Sequence, residues 1–228
     1  MLDGSIETSL GTVSYLNEID DGIGQRKAKR FLQELIQNYY EENFEYYNEV
    51  GEFAFGYSEK VAMTHIITAT RKMTKALLAE LPYKAKSGNQ RFIDLWCRHG
   101  DVEYFIEVKY GRNNSKTEKI ASDVNSLYET CLEQIEDFKI RQLDKSFDKI
   151  SKHRYKVALM IMLDWISEND TDKLSSFGLY QKYEKELWQS IHRKVNFAGM
   201  CRIKENLTAN SNVKYPLLTL FGWIEKVD

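Results

Sequence analysis

Between Gln25 and Tyr47 the apolar residues Phe31, Leu32, Leu35, Ile36 and Tyr39 recur at spacings of three and four, the period of a helix with one buried stripe. A second helical pattern begins after Ser58, a good N-cap residue, and runs to about Leu81, where Pro82 stops it. The period then changes. RFIDLWC (91–97) and YFIEVKY (104–110) are short and rich in aromatic and β-branched residues, and the glycine-bearing RHGDVE between them predicts a β-hairpin. Ile120, Val124, Leu127, Cys131, Ile135 and Phe138 return to helical spacing. KVALMIML (156–163) is nearly all apolar, as a strand covered on both faces would be. A fourth helix is predicted within Lys173–Lys194, followed by two strands, NFAGMCRIK and PLLTLFGWI, joined by the turn-rich ENLTANSN. Residues 1–22 read as polar and irregular. This order of elements predicts an α/β protein with a mixed central β-sheet flanked by helices.

Composition narrows the class. At 228 residues and 26.8 kDa the chain is sized for one domain, and no stretch approaches the roughly 18 unbroken apolar residues of a membrane helix. MLDGSIETSL lacks the basic, apolar and small-residue regions of a secretion signal, so a cytoplasmic protein is expected. Cys97, Cys131 and Cys201 form neither a CxxC pair nor an even set, which predicts buried thiols in a reducing compartment. The net charge is only −2, so a polyanionic partner must be met by a local basic patch. The 4 histidines show no metal-ligand spacing with one another or with cysteine, and P-loop, GxGxxG and GxSxG motifs are missing from the sequence.

The hairpin carries the candidate chemistry. With Gly100 and Asp101 as a two-residue turn, Asp94 falls opposite Glu107. Phe92, Asp94 and Trp96 then share a face with Phe105, Glu107 and Lys109, while Ile93 and Leu95 lie on the other face with Ile106 and Val108. Opposed Cβ atoms lie about 5 Å apart, where like charges destabilise a sheet. A divalent cation would offset the repulsion, and hard carboxylate oxygens suit Mg²⁺. Lys109, beside the pair and unable to ligate, could orient an attacking water or stabilise charge on a phosphoryl group. Helical phase places Glu59 within about 40° of Ile66, Met73 and Leu77, so it is expected to face the sheet from the first turn of the second helix.

A helix with a glutamate, a strand with Asp94, a strand reading IEVKY, then a helix and an apolar strand resemble the PD-(D/E)xK nuclease superfamily, over about Ser58 to Asp164. Ile93 stands where the family name has proline. The resemblance implies a restriction-endonuclease-like core (58–164), preceded by an N-terminal helical extension (1–57) and followed by a C-terminal helix and strands (165–228). It implies a catalytic set of Glu59, Asp94, Glu107 and Lys109, with Mg²⁺ held at Asp94, Glu107 and Val108 and Mn²⁺ able to substitute. The activity it implies is hydrolysis of nucleic-acid phosphodiesters, foremost by a duplex-DNA endonuclease of restriction type acting as a homodimer.

Phosphate contacts are expected from the loop after the catalytic strand, at Arg112, Lys116 and Lys119. Arg26, Lys27, Lys29 and Arg30 form a further basic group where cations oppose the dipole of the first helix. Two other readings are a DNA-binding subunit in which Asp94, Glu107 and Lys109 form only a salt-bridged cluster, and a defence or phage accessory protein that docks a partner without binding nucleic acid.

Overall fold

The periodicity of residues 25–47 appears in the structure as α1 (Ile23–Val50), whose buried stripe runs through Phe31, Leu35, Ile36 and Tyr39. The structure is a computed structural model that describes residues 2–19, 22–85, 87–117, 119–143, 153–167, 169, 194–207 and 213–227. The helix expected within Lys173–Lys194 falls almost wholly outside the described residues.

In chain order the other elements are strands β1 (Leu2–Glu7) and β2 (Gly11–Asn17), α2 (Glu59–Met73), β3 (Leu77–Lys84), β4 (Gln90–His99), β5 (Val102–Asn114), α3 (Ser122–Asp137), β6 (His153–Ser167), β7 (Phe197–Ile203), β8 (Val213–Lys214) and β9 (Leu217–Val227). They build a mixed nine-stranded sheet of order β1-β2-β7-β9-β6-β5-β4-β3, with β8 paired to β6. β5 and β6 run parallel, and α3 supplies the crossover that a parallel pair needs. α1 and α2 cover one face, packing Phe31, Leu35, Ala62 and Ile66 against Tyr104, Ile106, Val108, Val157 and Leu159. α3 covers the other, packing Val124, Cys131 and Ile135 against Phe105, Ala158 and Met160.

Three expectations are corrected. Residues 2–17 are not irregular: β1 and β2 form a hairpin, and β2 pairs antiparallel with β7 along Gly11–Asn17. The N-terminal part is therefore not a purely helical extension. Its signal is the alternation in GTVSYLN, where Gly11, Val13 and Tyr15 are buried and the residues between them less so.

The second helix ends at Met73, not near Leu81, and Leu77–Lys84 is a strand at the sheet's edge. Pro82 pairs there with Phe92. An edge strand tolerates a missing N–H, so the proline marks a strand edge and not a helix stop. Ser58 does occupy the N-cap position with extended backbone, but its side chain makes no cap hydrogen bond.

Phe92, expected in the aromatic company of Trp96 and Phe105, is 51% exposed. The cause is a turn-over of the β3–β4 pair. Leu95 packs with the α1/α2 face, whereas Ile93, two residues away, packs with the α3 face beside Leu81 and Tyr83. Between the pairs Ala79–Leu95 and Leu81–Ile93 stand Glu80 and Asp94, and Glu80 has a positive φ of 54°. The change of face falls at Asp94.

Candidate functional site

The β4–β5 hairpin has the register its turn predicts. Gly100 takes a φ of 63°, and His99 pairs with Val102, Cys97 with Tyr104, Trp96 with Phe105 and Leu95 with Ile106. At the next position the backbone ladder stops, because β4 turns over toward β3 while β5 stays beside β6. The Asp94 side chain closes the gap: its Oδ2 accepts the backbone N–H of Val108 at 2.8 Å. A carboxylate is thus anchored at the fork between two diverging strands.

Glu107 and Lys109 project on the α3 side. Their parallel partners Ala158 and Met160 belong to the core under α3, and the Cys131 thiol of that helix donates to the Glu107 carbonyl at 3.3 Å. Gly111 lets α3 approach closely here, since a Cβ would lie 2.7 Å from Met160 Cε and 3.1 Å from Val124 Cγ2. The Lys109 ammonium donates to Glu107 Oε1 at 2.9 Å and to the Val108 carbonyl at 3.2 Å, and stands 4.0 Å from Asp94 Oδ2. Side-chain exposure rises from 5% at Glu107 through 14% at Lys109 to 34% at Asp94, so the group opens to solvent at Asp94.

This arrangement strains the charges. Burial, and then the charge of Asp94, push the Glu107 carboxyl up to about 7 against the stabilising pull of Lys109. Burial pulls the Lys109 ammonium down, but Glu107 and Asp94 outweigh it and the ammonium is held above its usual range. Burial, and after it Glu107, push the Cys131 thiol far up, which keeps it a neutral packing group. One ammonium faces two carboxylates, so the site carries a residual negative charge that a cation would relieve.

The donors fit a hard divalent ion. Two carboxylates and the Val108 carbonyl, the one group by which Val108 can ligate, are oxygen ligands grouped within 4.0 Å of Lys109 Nζ. Among the described residues no group of three or more His, Cys, Asp and Glu side chains forms a metal cluster. Two carboxylates completed by water and phosphate oxygens match the sparse protein coordination of Mg²⁺.

Not every expected residue meets here. Glu59 is exposed at the first position of α2, ahead of the buried Ala62, and α2 packs on the face opposite Glu107 and Lys109. The helical phase is right at Ile66, but Leu77 has left the helix, and the sheet face it was aimed at is the other one. Arg112 lies within β5, not in a loop, and its Nε donates to Tyr110 Oη at 3.2 Å while Tyr110 donates to the Phe55 carbonyl on the α1/α2 side. Lys116 and Lys119 are exposed on the segment that leads into α3.

Two neighbours of the site escaped the sequence. Cys131 registered only as part of an apolar stripe. Tyr83, across from Arg91 on β3–β4, is held above its usual range by burial, with Arg91 opposing and Glu107 adding to the effect. It lies just beyond Pro82, where the predicted helix stops, in a stretch for which the sequence predicts no element.

All three cysteines are buried and free, as their spacing predicts. Lys27 forms an ion pair of 2.5 Å with Asp101, so part of the α1 basic group ties that helix to the hairpin turn. Among the described residues no helix is long and apolar enough to cross a membrane. No family model, curated protein or solved structure matches the chain.

Proposed function

We propose that this chain is a metal-dependent nuclease of the PD-(D/E)xK kind, with a restriction-endonuclease-like core, that hydrolyses phosphodiester bonds of nucleic acid. Duplex DNA, cut by a cytoplasmic homodimer, is the specific form of the proposal. The observation that carries it is the convergence of Asp94, Glu107 and Lys109 at the fork of β4 and β5, with two carboxylates sharing one ammonium.

Asp94, Glu107 and the Val108 carbonyl are the groups that would hold Mg²⁺ or Mn²⁺. When bound, the ion supplies Lewis-acid polarisation of the phosphate and a more acidic water. Lys109, protonated and hydrogen-bonded to Glu107, is placed to orient the attacking water and to stabilise charge growing on the phosphoryl oxygens. The Asp94–Val108 bond fixes the carboxylate without using a second side chain. Lys116 and Lys119, on the approach to α3, are candidates for phosphate contacts.

A second reading has an observation in its favour. Lys109 already contacts Glu107 and Val108, so the three charged groups could serve as a self-contained ion cluster in a DNA-binding module that does not cut. Incubation of the chain with supercoiled plasmid in Mg²⁺, in Mn²⁺ and in chelator separates the two. Nicking or linearisation with metal, absent in chelator, supports the nuclease; retention of plasmid without cleavage in all three supports the binding module.

A further inference from the structure

Lys156 opens the otherwise apolar run KVALMIML, and the structure puts it in a setting its neighbours do not explain. It lies on β6 directly beside Phe105 of β5, on the same sheet face as Ala158 and Met160, and is only 7% exposed. Its ammonium sits 5.7 Å from the centroid of the Phe138 ring, and among the described residues its one hydrogen bond goes to the Glu136 carbonyl, at 3.4 Å. Among the described residues it makes no ion pair. Glu225 is its antiparallel partner on β9.

An ammonium carries three donors, and burying a cation with one weak acceptor is costly. Lys156 lines a cleft of about 500 Å³ bounded also by Lys139, Arg141, Lys194, Glu136 and Glu225. Four cations therefore surround this cleft against two carboxylates, of which Glu136 is engaged by Lys194. In a chain of net charge −2 this is a local reversal of the overall field.

A purely structural role covers only part of the arrangement. Glu136 and Asp137 end α3, and Lys139 donates to the Glu136 carbonyl at 2.7 Å, which already supplies the cation that a helix C-terminus favours. A second, buried ammonium on the same carbonyl adds little to capping. Arg141, exposed and making no ion pair among the described residues, adds nothing to it.

We infer that the cleft of Lys139, Arg141, Lys156 and Lys194 is a binding site for a backbone phosphate of nucleic acid, with Lys156 as its floor. The inference rests on the nuclease reading only for the identity of the phosphate's owner. Position supports it: Lys156 is beside Phe105, two residues before Glu107 on the same face, which sets the two backbones about 8 Å apart. Burial lowers the affinity of the Lys156 ammonium for its proton, with Lys139 adding repulsion, and a phosphate in the cleft would offset both.

The test uses Lys156→Met, which keeps volume and removes the charge, and Arg141→Ala, on the exposed rim. Binding of a short labelled DNA duplex is measured in chelator against salt, and thermal shift is recorded with tripolyphosphate. Each substitution is expected to lower the salt slope by about 0.9, one phosphate contact, and Lys156→Met to abolish the tripolyphosphate shift. An unchanged salt slope together with an unchanged tripolyphosphate shift in Lys156→Met overturns the proposal, as does a parent that responds to neither probe. A parent that responds to tripolyphosphate through Lys156 but never cuts DNA would keep the phosphate site and dismiss the nuclease. Circular dichroism and melting of both variants exclude loss of fold as the cause.

Discussion

Asp94 Oδ2 accepts the backbone N–H of Val108 at 2.8 Å, one residue beyond the last backbone pair of β4 and β5. A side chain thereby substitutes for the strand that has turned away. Asn at this position can keep the bond through its carbonyl while removing the charge.

That separation of bond from charge makes Asp94→Asn informative. The Glu107 carboxyl is raised from 4.5 to about 7 by burial first and by Asp94 second. A carboxyl raised in the fold keeps its proton there and loses it when unfolded, so in chelator the parent's stability should fall as pH rises from about 4.5 to 7. Asp94→Asn should make that fall shallower, and Glu107→Gln should remove it. Saturating Mg²⁺ should also flatten the parent's profile, because binding of the folded state opposes the loss. Chemical denaturation across this pH range, in chelator and in Mg²⁺, measures each slope; equal slopes in parent and Glu107→Gln would dismiss the raised carboxyl.

Lys109 has two jobs that one pair of variants can distinguish. Lys109→Ala should cut plasmid about 100-fold or more slowly, the scale of one lost preorganised group, while duplex binding in chelator stays near the parent's. It should also be less stable than the parent above neutral pH in chelator, since two carboxylates are left facing one another, and Mg²⁺ should recover much of that stability. Lys109→Arg keeps the charge and should recover stability without recovering rate, because a planar guanidinium does not reproduce an ammonium's geometry. A Lys109→Ala variant that cuts at the parent's rate would place the chemistry elsewhere.

The three cations once grouped in a single loop should behave differently. Lys116→Ala with Lys119→Ala is expected to lower the salt slope of duplex binding by up to about 2, close to one per lost phosphate contact. Arg112→Ala should leave the slope unchanged, because its guanidinium is hydrogen-bonded to Tyr110 on the other side of the sheet. A slope that falls with Arg112→Ala alone would put the nucleic acid on the α1/α2 side.

The hairpin and its charged residues were legible because a two-residue turn fixes register and strand alternation fixes faces. Given Gly100, the juxtaposition of Asp94 with Glu107 follows from counting. The reversal at Asp94 was not legible, since it arises from β3, a strand read as helix through Met73, Leu77 and Leu81, and from the positive φ of Glu80. The phase of Glu59 could be computed, but which face of the sheet α2 would cover could not, because that depends on the crossover of α3 and not on either helix alone. Lys156 was invisible for a related reason: one charge at the end of an apolar run looks like a strand boundary until its neighbours Phe105 and Phe138 close over it.

The path of the chain through the sheet also bears on how the protein is made. β2 pairs with β7 from Gly11–Ile203 to Asn17–Phe197, and β9, the last strand, lies between β7 and β6. At roughly 5–20 residues per second of synthesis, the first hairpin leaves the ribosome about 10–40 s before its partner strand exists. Throughout that interval β2 presents an unpaired edge bearing Val13 and Tyr15, the kind of surface that aggregates or recruits chaperones. The sheet closes only when β9 enters its middle, so its assembly is a late, non-local event and a nascent chain stopped before residue 217 lacks the strand that joins its two halves.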